Sequence, residues 1–274
     1  MTLAFTKMQA AGNDFMVVLG RSLPAPERGR VRAWADRRRG VGFDQLLWVE
    51  EPEGGNGVVR YRVFNADGGE AEQCGNGALC IAALVAKRRS NGESIVLESP
   101  GGQVEARVMA DNAVSCSLGS PQWHPGKVPF LAHGQPSPYR LKAVGGSWEF
   151  DALSLGNPHA VLGVPDVAAA DVAGVGAALS AHERFPQGCN VGFAEALDGQ
   201  SLKLRVYERG VGETPACGTG ACAAAVAGIR RGRVRSPVQV HMAGGRLSVE
   251  WPGGEAAVWL GGQIDSVFEG SVRL

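Results

Sequence analysis

The chain has no excess charge of either sign, no long apolar run and no paired-cysteine metal motif, and each absence removes a class of function. Twenty-seven basic residues balance twenty-seven acidic ones over 274 residues, so no global field draws the protein to nucleic acid or to an anionic membrane. No apolar stretch approaches the ~18 residues of a membrane span. The stretch MTLAFTKMQAAGNDF has neither a charged start nor a long apolar segment, so no secretory signal is expected. The six cysteines are Cys74, Cys80, Cys116, Cys189, Cys217 and Cys222. None forms a C-x-x-C pair and no histidine lies at ligand spacing, so no metal site is expected. A cytoplasmic enzyme with free thiols is the expectation. Cys80 and Cys222 fall in apolar helical runs and read as buried, inert side chains. Arg37-Arg38-Arg39 reads as a solvated end of the helix before it.

What is present is a repeat. RVFNADGGEAEQCGNGA, from Arg62, and RVYERGVGETPACGTGA, from Arg205, are identical at eight of seventeen positions. The correspondence extends both ways. Gly12-Asn13 matches Gly156-Asn157, GFDQLL with Gln45 matches GCNVGF with Asn190, and PGGQVEARV matches AGGRLSVEW. Residues 1–119 and 144–262 therefore read as two copies of one fold. The proline-rich stretch 120–143 reads as a linker assigned with the second domain, 120–262. The tail 263–274 falls outside the repeat and ends in a strand-like SVFEGSVRL, expected to pack back on the first domain.

Alternation of β-branched residues predicts strands at VVRYRVF, SIVLES, LKLRVYE and PVQVHM. Helices are predicted over Pro26–Arg39, Gly75–Arg89, Asp166–His182 and Gly218–Arg231. The second and fourth are lined with Ala and Leu, small enough for a curved sheet to enclose. The fold class is α+β: two duplicated domains, each a mostly antiparallel curved sheet wrapped around a central helix.

Cys74 and Cys217 each immediately precede a predicted helix that opens with glycine. Free N–H groups and the positive end of the dipole favour thiolate there, and thiolate is the reactive form. The dipole is worth ~0.3–1 kcal/mol against ~1.4 kcal/mol per pKa unit, so it assists without fixing the protonation state. The same N–H groups, of Gly75, Asn76, Gly218 and Thr219, form a ready carboxylate site. CGTGACA fits a G-x-G-x-x-A dinucleotide fingerprint, but a turn precedes it and it occurs twice. A thiol hydrolase could pair one cysteine with His159, and an amino-acid-binding module could use the helix ends. Neither has a use for two thiols. Inverting a C–H stereocentre does, because a proton leaves one face of the carbon and another returns to the opposite face. Two neighbouring thiols disfavour a second ionisation, which leaves one base and one acid.

GNDF, GFDQLL, FNADGGEAEQCGNGA, GNPHAV, NVGF and RVYERGVGETPACGTGAC resemble the diaminopimelate epimerase family, in that order and along nearly the whole chain. The resemblance implies a homodimer that interconverts LL- and meso-diaminopimelate without a cofactor, in lysine and cell-wall precursor synthesis. It makes Cys74 and Cys217 the acid/base pair. It also makes Asn13, Gln45, Asn65, Asn157, Asn190, Glu208 and Arg209 substrate-binding, Gly75-Asn76 and Gly218-Thr219 a backbone cradle, and His159 and Glu208 tuners of the thiols. The adjacent Glu208-Arg209 suits the far ammonium and carboxylate of a long bis-amino acid. Three departures stand out. Ala10-Ala11 replace a more usual glycine and leucine, and Leu79 replaces a frequent arginine, expected at the surface. Phe268 stands where relatives carry a dimer-contact tyrosine. A proline racemase-like enzyme of the same fold is the alternative, although Asn76 departs from the histidine usual there.

Overall fold

The structure is a computed structural model that describes residues 2–20, 24–50, 52, 57–71, 74–89, 94–108, 113–132, 134 and 138–273. The chain divides into two compact units, residues 1–117 with 261–274, and residues 118–260.

The first unit begins with the antiparallel pair β1 (Thr2–Ala10) and β2 (Asn13–Gly20). Helix α1 (Arg28–Ala35) then leads into β3 (Gln45–Glu50), parallel to β2. β4 (Val59–Asn65) runs antiparallel to β3 and takes the short β5 (Glu70–Ala71) beside it. Helix α2 (Gly75–Arg88) crosses to β6 (Ile95–Ser99), parallel to β4, and β7 (Gly102–Val108) and β8 (Val114–Ser117) follow as antiparallel neighbours. α2 is buried on nearly every side from Gly75 to Val85, as a helix enclosed by a sheet must be. Leu79 is fully buried in it, contrary to the surface position expected.

The second unit repeats this order. β9 (Tyr139–Ala143) pairs with β10 (Gly146–Ser154), and β10 runs antiparallel to β11 (Pro158–Gly163). Helix α3 (Val172–Ser180) precedes β12 (Asn190–Asp198), parallel to β11, and β13 (Ser201–Glu208) is antiparallel to β12. The short β14 (Gly212–Thr214) lies on β13, and helix α4 (Gly218–Arg230) leads to β15 (Val238–Met242), parallel to β13, with β16 (Gly245–Glu250) antiparallel to it. α4 is buried from Gly220 to Ala227, where its alanines let strands approach closely. Phe130, Tyr139, Phe150 and Phe185 pack edge-on and stacked beside α3 in the core of this unit. β17 (Trp259–Gly262) runs through the unit boundary, and β18 (Ile264–Arg273) pairs antiparallel with β1.

The mostly antiparallel α+β fold is as expected, with four parallel pairings among the described ladders. Two helices are shorter than the periodicity suggested. α1 stops at Ala35 because the Asp36 side chain accepts from the Arg38 and Arg39 backbone N–H groups and turns the chain. α3 starts only at Val172, capped by Asp171, whose side chain accepts from Gly174 N at 2.9 Å. The proline-rich stretch read as a linker holds a turn of 3-10 helix (Pro125–Lys127) and all of β9. Its residues 133 and 135–137, like Leu274, lie outside the described residues.

Candidate active site

In each unit the site is built at the mouth of the enclosed helix. In the first, Cys74 is the N-cap of α2 in extended conformation (φ −141°), and its Sγ accepts from Gly77 N at 3.4 Å. Asn13 Nδ2, at the start of β2, reaches the same sulfur at 3.9 Å. A Cβ on Gly77 would meet Leu47 Cδ2 at 2.9 Å and touch the Cys74 sulfur at 3.5 Å, so Leu47 would have to shift to admit a side chain beside the thiol. Gln45 opens β3 opposite Asn65 on β4, and Gln45 Nε2 donates to Asn65 Oδ1 at 2.9 Å. Asn76 is buried (2% exposed), and its Oδ1 and Gln45 Oε1 have no hydrogen-bond partner among the described residues. Buried polar atoms left in this way cost free energy unless a ligand or water meets them.

An ionic cluster holds two of these residues in place. Asp14, next to Asn13, bonds Lys7 at 2.5 Å and Arg37 at 2.7 and 2.9 Å, and Arg37 also reaches Asp44, next to Gln45, at 2.7 Å. Asp44 N donates to Asp14 Oδ1 at 2.9 Å. Burial alone would raise the Asp14 carboxyl, but bonds from Arg37 and Lys7 hold it well below the usual carboxylate range. Arg37, Arg38 and Arg39 are exposed just past the end of α1, as expected of a solvated helix end, and Arg37 in addition pairs with both aspartates. The signal for this pairing was present in the aspartates adjoining Asn13 and Gln45.

In the second unit Cys217 caps α4 with φ −138°, and its Sγ accepts from Gly220 N at 3.4 Å. Gly220 is constrained as Gly77 is, with Val206 at 3.0 Å and the Cys217 sulfur at 3.2 Å from an added Cβ. Thr219 Oγ1 lies 3.6 Å from the thiol and accepts from Asn157 Nδ2 at 3.3 Å, and Asn157 Oδ1 meets His159 Nε2 at 2.9 Å. Asn190 Oδ1 accepts from Arg209 N at 2.9 Å, which fixes the turn after β13, and Arg209 Nη1 donates to Gln187 O. Glu208 accepts from the Thr214 hydroxyl and lies against the Cys217 thiol. Thr214, which sequence reasoning did not single out, is thus in contact with Glu208.

Burial first, and Glu208 second, push the Cys217 thiol well above its ordinary range, against the lowering bonds from Thr219 and Gly220. The helix end therefore loses to desolvation here, and Cys217 rests as a neutral thiol. Burial pulls His159 down to about 3, with Arg209 adding to the effect, so its ring is neutral. Cys80 and Cys222 are fully buried and their thiols pushed up by burial, which makes them inert as expected. Among the described residues no cluster of three metal-binding side chains occurs and no helix is long and apolar enough to cross a membrane.

The duplicated fold is shared with solved structures of low sequence identity. A solved hydroxyproline epimerase from Agrobacterium vitis, with bound trans-4-OH-L-proline, superposes with a TM-score of 0.68 at 16% identity, over 99% of this chain and 92% of that one. That likeness speaks for the fold alone. The sequence profile of diaminopimelate epimerase matches residues 5–124 and 152–263. The diaminopimelate epimerases of Pseudomonas paraeruginosa and Ectopseudomonas mendocina are 49% and 50% identical over 276 residues, with full coverage of both chains. The chain belongs to the diaminopimelate epimerase family.

Proposed function

We propose that the chain epimerises LL-2,6-diaminopimelate to meso-diaminopimelate and back, without a cofactor, through Cys74 and Cys217. The observation that carries the reading is the pair of N-capping thiols, each accepting an N–H three residues on at 3.4 Å. Cys217, neutral at rest, supplies the acid, which leaves Cys74 to act as base. The Cys74 sulfur takes the α-proton: the C–H bond breaks, an S–H bond forms, and the electron pair stays on the substrate as an enolate-like carboxylate. The Cys217 S–H then breaks as a C–H bond forms on the opposite face. The pair ends with its roles exchanged, ready for the reverse reaction. Helix N–H groups of Gly75-Asn76 and Gly218-Thr219 stabilise the charge that develops.

Asn13, Gln45, Asn65, Asn157, Asn190, Glu208 and Arg209 are the substrate contacts in this reading. The unmet Asn76 Oδ1 and Gln45 Oε1 suit the ammonium donors of a diamino acid. Arg209 presents a planar fork for the far carboxylate. His159 acts on Cys217 through Asn157 and Thr219, as an oriented neutral ring. The reaction belongs to lysine and cell-wall precursor synthesis, and free thiols call for the reducing cytoplasm. A homodimer through the face around Phe268 completes the reading. The test is incubation of purified protein with LL-diaminopimelate in heavy water. The reading requires meso product carrying α-deuterium, with no added pyridoxal phosphate or metal. Absence of α-exchange with that substrate, and exchange with proline instead, would replace it with the racemase alternative.

A further inference from the structure

We propose that Thr214 is a positioning residue for the reaction, holding the Glu208 carboxylate against the Cys217 thiol. The inference rests on the proposed role of Cys217. Thr214 closes β14, which is locked onto β13 by Val206↔Thr214 and Tyr207↔Glu213 pairing and by a bidentate bond from Arg205 to Glu213 at 2.7 and 2.9 Å. From that fixed strand the Thr214 hydroxyl donates to Glu208 Oε1 at the end of β13. A carboxylate at a strand end, next to a turn, would otherwise be free to swing to solvent.

The first unit shows that the device is particular to Cys217. Arg62 and Glu70 make the same bidentate bond at 2.7 and 2.6 Å, and Val63↔Ala71 repeats the register. At the two matching positions, however, stand Asn65 and Ala71, which carry neither the charge nor the hydroxyl. One scaffold thus sets two different thiol environments, and Thr214 is half of what separates them.

The groups around the Cys217 sulfur leave Glu208 as its charged neighbour. Cys222 lies farther along α4 as a neutral thiol, and His159 of β11 is uncharged. Arg209 directs its guanidinium to Gln187 O. On other strands packed against α4, Asp151 pairs with Arg231 at the far end of the helix, and Glu195 accepts from Val167 N. Freed from Thr214, Glu208 would leave the thiol, and Cys217 would ionise more readily.

The test compares Thr214→Val, which keeps shape and removes the hydroxyl, with Thr214→Ser, which restores it. A rate that needs one thiol and one thiolate falls at high pH when the second proton is lost. Thr214→Val should move that alkaline limb of kcat/KM to lower pH by about half a unit or more and lower kcat about fivefold, and Thr214→Ser should return both towards wild type. In parallel, the pH dependence of Cys217 alkylation by iodoacetamide, read by peptide mass without substrate, should shift the same way in Thr214→Val. If alkylation shifts but no variant or wild type turns over diaminopimelate, the positioning role stands and the substrate reading falls. An unmoved alkylation profile in Thr214→Val overturns the proposal, even if the variant melts earlier. So does Thr214→Ser behaving like Thr214→Val.

Discussion

At the residue scale, the site chemistry is set by how deeply each polar group is buried and what meets it there. His159 shows the consequence most simply. Its ring titrates at about 3 in the folded chain, against 6.5 for an ordinary histidine. Between those values the unfolded chain binds one more proton than the folded one. The stability held by the neutral ring is therefore complete above about pH 6.5 and drains as pH falls towards about 3, by ~1.4 kcal/mol per pH unit. Urea unfolding of the wild type and of His159→Gln across pH 4 to 6.5 checks this (that range being roughly the window of the shift). The wild-type slope should exceed that of the variant by about one proton, whatever the absolute stabilities. Equal slopes would mean that the ring is already charged. Such a shift was not legible in GNPHA, because burial is a property of the packed unit. The two cysteines were legible, since the turn and glycine-rich helix start around each are local. Thr214 was missed because its partner, Glu208, lies across a hairpin.

At the scale of elements, the enclosed helices carry the thiols, and their packing decides how firmly these are held. Their extents were readable to within a residue or so, because small and apolar residues run without a break from Gly75 and from Gly218 to a basic last turn. α1 and α3 were overestimated because the residues that end or start them, Asp36 and Asp171, act through side-chain bonds to backbone N–H groups that periodicity does not register. Leu79 was misplaced for a related reason: α2 is enclosed all round, so it has no solvent face in that turn. Truncation there should be costly. Leu79→Ala removes a fully buried side chain and should cost roughly 2–5 kcal/mol. Equilibrium unfolding measures it, and a loss below about 0.5 kcal/mol would mean that the helix is less enclosed than described.

At the scale of the whole molecule, the repeat was legible because each copy keeps the residues that its scaffold needs: the arginine and glutamate of the twin ion pairs, the glycines beneath the thiols and the cysteines themselves. What differs between copies is the chemistry hung on that scaffold. The ionic cluster of Lys7, Asp14, Arg37 and Asp44 has Pro158 and Cys189 at the positions matching its two aspartates. On β18, Val267 and Phe268 are 56% and 48% exposed, and Phe268 meets Phe5 edge-on at a centroid distance of 5.9 Å. If this apolar face joins two copies, Phe268→Asp should turn a dimer into a monomer in sedimentation equilibrium, with unchanged far-ultraviolet circular dichroism. A Phe268→Asp protein that stays dimeric would assign the contact elsewhere.

The doubled cysteine device is the central claim, and it is tested most directly by assaying Cys74→Ala and Cys217→Ala separately with LL-diaminopimelate in heavy water. Each variant retains one complete helix mouth and lacks one thiol. The two-thiol account predicts that each loses formation of the meso isomer by at least about a thousandfold, while circular dichroism and the melting transition show both variants folded. Formation of meso product at a wild-type rate by either variant would contradict it.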